Sequence, residues 1–328
     1  MRKLAGSAVL TTLLLAGCAS PLAWVPPAGA PGATPADTSV PAGVNTSAPV
    51  GATGVGTPSS ALPGVYEQDA PGSWTLTSEF ASQTGITPKI VLYYSAWKEP
   101  FKTAFAQTAL SHGAYVLVQL QPDGVTLSSI AAGQSDGYLR SYALAVREFG
   151  HPVILSFGHE MNGNWYSWGL GHASPSSFVA AWRHIVQIFR EEGASNATWV
   201  WTVNSTNAAN APLQQWWPGA QWVNWVGIDG YYYRSTDSFE SVFGETIAQI
   251  RTFSNAPVLI AETAVGVTYD RESQIDALLA GVHADHIVGV VWFDKGQNAG
   301  IYHQDWRLED DPAAVAAFKS AAQTYLGQ

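Results

Sequence analysis

The sequence predicts an α/β fold, a single (β/α)8 TIM barrel, on three observations. Short apolar runs alternate along the chain with longer amphipathic ones; the short runs number eight; and the stretch that holds them has the length of one barrel, about 250 residues. The short runs are apolar at consecutive positions rather than at every second one, which is the pattern of strands covered on both faces.

Taken in order, the predicted strands are residues 64–66, 89–94, 115–121, 152–158, 198–202, 223–229, 258–262 and 287–293. The clearest helices between them are 135–149, 176–192, 238–253, 272–283 and 312–325. In the second of these, Phe178, Ala181, Trp182, Ile185, Ile188 and Phe189 recur at helical spacing and form one apolar stripe. No internal repeat interrupts the alternation.

Ahead of the barrel the chain changes character twice. Arg2 and Lys3 precede an apolar stretch over residues 8–15 that is too short to span a bilayer, and Leu15-Ala16-Gly17-Cys18 closes it. LAGC resembles the lipobox of bacterial lipoproteins, which implies cleavage before Cys18 and a diacylglyceryl group on its sulfur. The alternative is an ordinary secretory leader with a chance cysteine. Residues 19–62 are mostly Pro, Ala, Gly, Ser and Thr, with almost no charge and few large apolar residues, so they read as a flexible linker. The expectation is a leader over 1–18, a linker over 19–62 and a catalytic barrel over 63–328. Such a protein is a monomer held outside the cytoplasm, touching the membrane only through the lipid on Cys18.

Of the 328 residues, 15 are Lys or Arg and 25 are Asp or Glu, a formal charge of −10 that argues against a nucleic-acid partner. Hydrophobic residues make up 47%, with 14 Trp, 13 Tyr and 12 Phe, enough for a large core. The single cysteine permits neither an internal disulfide nor a cysteine-based metal cage.

A barrel of this type gathers its chemistry at the carboxyl ends of its strands. The fourth predicted strand ends in His159 and Glu160, followed by Asn162, Asn164 and Trp165; the seventh ends in Glu262 after a wholly apolar run. The sixth ends in Asp229-Gly230-Tyr231, and the eighth in Trp292-Phe293-Asp294. Two glutamates at strand ends on one rim can flank a glycosidic bond, one protonating the leaving oxygen and the other meeting the oxocarbenium ion. Glutamates closing apolar strands are costly as mere structural groups. His159-Glu160 lacks the second histidine that a zinc helix motif needs, so no metal is expected. Gly133-Gln134-Ser135-Asp136-Gly137 fits the G-x-S-x-G pattern of a serine hydrolase, but the run before it is a poor strand and Ser135 or Asp136 suits a helix N-cap.

FGHEMNGNWYSWG (157–169), GIDGYYY (227–233), VLIAETA (258–264) and VVWFDK (290–295) resemble the strand-end motifs of glycoside hydrolase family 26, the β-mannanase-type family of retaining barrel glycosidases. The similarity extends over residues 63–328. It implies Glu160 as general acid/base, Glu262 as nucleophile, and His159, Trp165, Tyr231 and Trp292 around the sugar being cleaved, with no cofactor. It implies a polysaccharide substrate, β-1,4-mannan first, with mixed-linkage β-1,3-1,4-glucan and β-1,3-xylan as alternatives.

Gln119-Leu120-Gln121-Pro122-Asp123 departs from the family pattern, although Gln121 can still bond a sugar hydroxyl. Asn204, Asn207 and Asn210 read equally as hydroxyl contacts or loop residues. His159 as a satisfied core histidine, and Trp165 and Trp168 as packing, stay open. Trp199, Trp201, Trp216, Trp217, Trp222 and Trp225 divide between core and sugar platform. On physical grounds Glu160 is expected to be protonated near neutral pH, and Glu262 ionised with the Tyr231 phenol donating to it. Salt is expected to matter little for a neutral sugar. A carbohydrate-binding lipoprotein without catalysis is the reading from another functional class.

Overall fold

All eight apolar runs form strands in the computed structural model, which describes residues 54–206, 212–268, 270–296 and 304–327. The strands are β1 Leu62–Glu67, β2 Ile90–Ala96, β3 Tyr115–Gln121, β4 Val153–Phe157, β5 Ala197–Asn204, β6 Trp225–Asp229, β7 Val258–Thr263 and β8 Gly289–Asp294. They run parallel in sequence order, and β8 closes on β1 from Leu62↔Gly289 to Glu67↔Asp294. The leader with Cys18, the linker as far as residue 53, and Asn207 and Asn210 lie outside the described residues.

Strand side chains alternate in direction, so each run divides between two cores. Ile90, Leu92, Leu117, Ile154, Val200, Trp225, Leu259 and Val291 fill the barrel, with Val55 packed against them. Their neighbours Val91, Tyr93, Val118, Leu155, Trp201, Ile228, Ile260 and Trp292 face outward into the helical layer. Both cores are apolar, which is why the runs show no polar alternation.

The helical layer consists of α1 Thr75–Thr84, α2 Thr103–Ser111, α3 Leu127–Ala131, α4 Asp136–Phe149, α5 Pro175–Glu191, α6 Glu245–Arg251, α7 Arg271–Ala284 and α8 Pro312–Tyr325. The stripe predicted for α5 is buried throughout, and Ser174 caps its first turn by accepting from the Ser177 N–H at 3.1 Å. Residues 238–253, expected as one helix, instead begin with a π-helical turn over Glu240–Gly244 that passes into α6. Residues 127–131 are helical, so no strand leads into Gly133, and Ser135 stands at the start of α4. A nucleophile elbow has no place there.

Candidate active site

Glu160 reaches the rim because the chain breaks out of β4 at Gly158 and turns in the left-handed region at Glu160 itself, where φ is 53°. A non-glycine residue there is strained and must be held. The Glu160 N–H donates to the Thr202 carbonyl at 3.0 Å, while Asn162 and Asn204 exchange two bonds, Nδ2 to carbonyl at 2.8 Å and N–H to Oδ1 at 2.9 Å. These contacts lock the turn to β5. The carboxyl is buried and takes two donors, Asn204 Nδ2 on Oε1 at 2.7 Å and Trp165 Nε1 on Oε2 at 2.8 Å. Trp165 folds back over Gly163 so closely that a Cβ on that glycine would lie 2.2 Å from its ring.

Glu262 faces the cleft because β7 carries an irregularity. Leu259 and Ala261 point into the barrel, so strict alternation would turn Glu262 outward. The register slips instead: Ile228 pairs with Ile260 but Asp229 with Glu262, and toward β8 Ile260 pairs with Val290 but Thr263 with Trp292. An extra residue in one strand re-aims the next side chain. Two phenols meet the carboxyl there, Tyr94 donating to Oε1 at 2.5 Å and Tyr231 to Oε2 at 2.7 Å.

Both glutamates line one open cleft of about 880 Å³, together with Tyr94, Trp165, Asn204, Tyr231, Tyr233, Phe293 and Trp306. Burial raises the Glu160 carboxyl above the ordinary range, against the opposing pull of Asn204 and Trp165. Burial first, and the Glu160 charge second, push Glu262 up to about 8, against Tyr94 and Tyr231. Burial thus lifts both groups rather than separating them, and an ionised Glu262 depends on its two phenols. Two buried carboxyls that line one cleft, the charge of one raising the other, titrate as a pair. A third, Asp229, is fully buried with neither carboxyl oxygen bonded among the described residues, and burial first, then Glu262 and Glu160, raise it well above the ordinary carboxyl range.

The other predicted residues divide. Trp165, 48% exposed, Tyr231 and Asn204 line the cleft, Asn204 as the donor to Glu160. Trp292 does not: it turns outward onto Phe318 of α8, buried, with Nε1 donating to the Trp306 carbonyl at 2.9 Å. Its neighbour Phe293 takes the inward position, and Trp306 supplies the indole at this wall. His159 is buried below the cleft surface and bonds Tyr166 through Nε2 at 3.1 Å; burial drives it down to about 3, so it is neutral. It touches the cleft only through Tyr94 and Tyr166. Gln121 ends β3 on the inward face but outside the lining of the cleft. Trp199, Trp201, Trp216 and Trp225 are buried in the cores, and Trp217 and Trp222 pack against them. Among the described residues no group of three His, Cys, Asp or Glu side chains gathers as metal ligands do.

The sequence model of glycosyl hydrolase family 26 matches residues 137–307. Endoglucanase H of Acetivibrio thermocellus is 28% identical over 274 residues, 76% of this chain and 30% of that protein. The β-1,3-xylanase TXYA of a Vibrio species is 31% identical over 140 residues, 42% of this chain and 29% of that protein. The chain therefore spans less than a third of either relative. Among solved structures, a modular endo-β-1,4-mannanase from Cellulomonas fimi shares the fold, with a TM-score of 0.63 at 18% identity over 80% of this chain and 70% of that one.

Proposed function

The chain belongs to glycosyl hydrolase family 26, and from that membership we propose that it is a retaining, endo-acting β-glycanase with β-1,4-mannan as its leading substrate. The observation that supports this most is the pair of buried carboxyls, Glu160 and Glu262, carried by different strands to one open cleft.

In this reading Glu160 holds a proton at rest. Its oxygens accept from an amide and an indole N–H, whereas Glu262 accepts from two phenols, which are stronger donors and favour the negative charge there. Glu160 passes its proton to the glycosidic oxygen while a Glu262 oxygen bonds the anomeric carbon and the leaving group departs. That step cancels the charge on Glu262, so Glu160, now ionised, can take a proton from water. The hydroxide equivalent attacks the same carbon, releases Glu262 and regenerates the starting pair with the anomeric configuration retained. His159 is a positioning residue in this scheme, acting through Tyr166.

Glu160→Ala is expected to lose far less rate on aryl glycosides with a good leaving group than on polysaccharide, and azide is expected to restore turnover as a β-glycosyl azide. No azide product would remove Glu160 from the acid/base role. Mixed-linkage β-1,3-1,4-glucan and β-1,3-xylan are a second reading, favoured by the similarity to an endoglucanase and a β-1,3-xylanase. Release of reducing sugar from mannan, lichenan, xylan and curdlan separates them, and binding without hydrolysis of any would instead mark a carbohydrate-binding lipoprotein. We further propose that the protein is exported and anchored outside the cytoplasm by lipid on Cys18. Cys18→Ser is expected to move it from the membrane fraction to the soluble one, and unchanged partitioning would refute the anchor.

A further inference from the structure

Arg234 is the only arginine among the described residues whose guanidinium binds no carboxylate or carbonyl. Every other one is held, from Arg140 on Glu191 and Glu192 to Arg307 on Asp305 and Asp310. Arg234 opens on the cleft just beyond β6, and Lys295, likewise without an ion pair among the described residues, opens on it just beyond β8. The nearby carboxylates are taken. Asp237 Oδ2 accepts the Tyr233 and Arg234 backbone N–H groups at 2.7 and 2.8 Å, and Asp305 and Asp310 pair with Arg307.

The same cleft carries an aromatic wall in which Trp306 lies 5.3 Å from Tyr233 and 5.0 Å from Tyr231, centroid to centroid. Such a wall covers the apolar face of a pyranose, and an Arg fork and a Lys opening on the same cleft suit carboxylates borne by such rings. A neutral glycan has no group that needs either charge.

We propose that the cleft takes a β-glycan bearing carboxylate groups, with Arg234 and Lys295 binding the acidic sugar or substituent beside the Tyr233–Trp306 wall. This deepens the glycanase reading and rests on it. It also departs from the salt indifference expected of a neutral substrate. The chain as a whole is charged −10, so any preference for an anionic glycan has to arise from these two side chains and not from net attraction.

The test compares kcat/KM on oligosaccharides of the preferred β-glycan with the same material oxidised at its primary hydroxyls to uronate. The wild type is expected to favour the oxidised form by roughly threefold to tenfold, as two partly exposed ion pairs would give, and raising NaCl is expected to shrink that ratio. Arg234→Gln with Lys295→Gln is expected to bring the ratio to one or below. Arg234 is exposed, so Arg234→Gln alone, expected to give an intermediate ratio, serves should the double variant fail to fold. A wild-type ratio of one or less with normal hydrolysis of the neutral form overturns this inference and leaves the glycanase reading intact. An equal ratio in the variants overturns it too. Hydrolysis of neither form overturns both.

Discussion

At the scale of single residues, the phenol of Tyr94 sits 2.5 Å from a carboxyl that burial has pushed up to about 8, and with Tyr231 it pulls Glu262 back toward ionisation. A hydrogen bond to a charged group contributes roughly 1.5–3 kcal/mol. Tyr94→Phe is therefore expected to lower kcat/KM roughly 10- to 100-fold. It should also move the acid limb of the pH profile to higher pH, because Glu262 would then lose its proton later. A profile with an unmoved acid limb would assign Tyr94 to packing alone. The sequence hid this residue because Ile90-Val91-Leu92-Tyr93-Tyr94 reads as unbroken core. Only the direction of alternation, fixed by closure of the barrel, sends Tyr93 to the helices and Tyr94 to the cleft. The same parity exchanged the parts expected of Trp292 and Phe293. Glu160, Glu262, Trp165 and Tyr231 were legible because a polar or aromatic group at the end of an apolar run has few structural uses.

At the scale of elements, the approach of β6 to β5 sets the height of Glu160. Gly227 pairs with Thr202, and a Cβ on it would lie 2.5 Å from Thr202 Oγ1 and 3.0 Å from Val200 Cγ1. Thr202 in turn accepts the Ser156 hydroxyl at 3.0 Å and, through its carbonyl, the Glu160 N–H. Gly227→Ala is expected to cost about 1–3 kcal/mol by overpacking and to reduce kcat, since the strand that must shift holds the Glu160 turn. Gly137→Ala in α4, where a Cβ meets nothing within 4 Å, is the control and is expected to hold or slightly raise Tm. Equal melting temperatures and rates for both variants would refute the coupling. The strands were readable from composition alone, but α1 and α2 were not. They lack acidic residues in the first turn, basic residues in the last, and a side-chain cap at Trp74 or Lys102. The irregularity in β7 left no mark in an all-apolar run, because a slipped register changes direction without changing residue type.

At the scale of the whole molecule, closure of the barrel places Glu67 of β1 opposite Asp294 of β8, both buried and hydrogen-bonded to each other. The titratable groups facing them are Glu309 and Asp69, acids again, while the Leu308 N–H donates to Asp294 Oδ1 at 2.9 Å. Burial first, and the neighbouring acids next, push Glu67 up to about 10 and Asp294 up to about 8. Raised carboxyls bind protons more tightly folded than unfolded. Their contribution is thus complete below the unfolded values near 4 and is lost as pH rises through about 8 and then about 10. The seam that joins the first strand to the last is expected to weaken in alkali, so Tm should fall from about pH 7 to about pH 10. Glu67→Gln keeps a donor for Asp294 and removes one ionisation, so its Tm should fall less steeply and exceed the wild-type value near pH 10. Scanning calorimetry across that range checks this. Parallel slopes in the two proteins would mean that the alkaline loss arises elsewhere, and that the β1–β8 closure is held by its apolar faces and backbone bonds without a proton between these two acids.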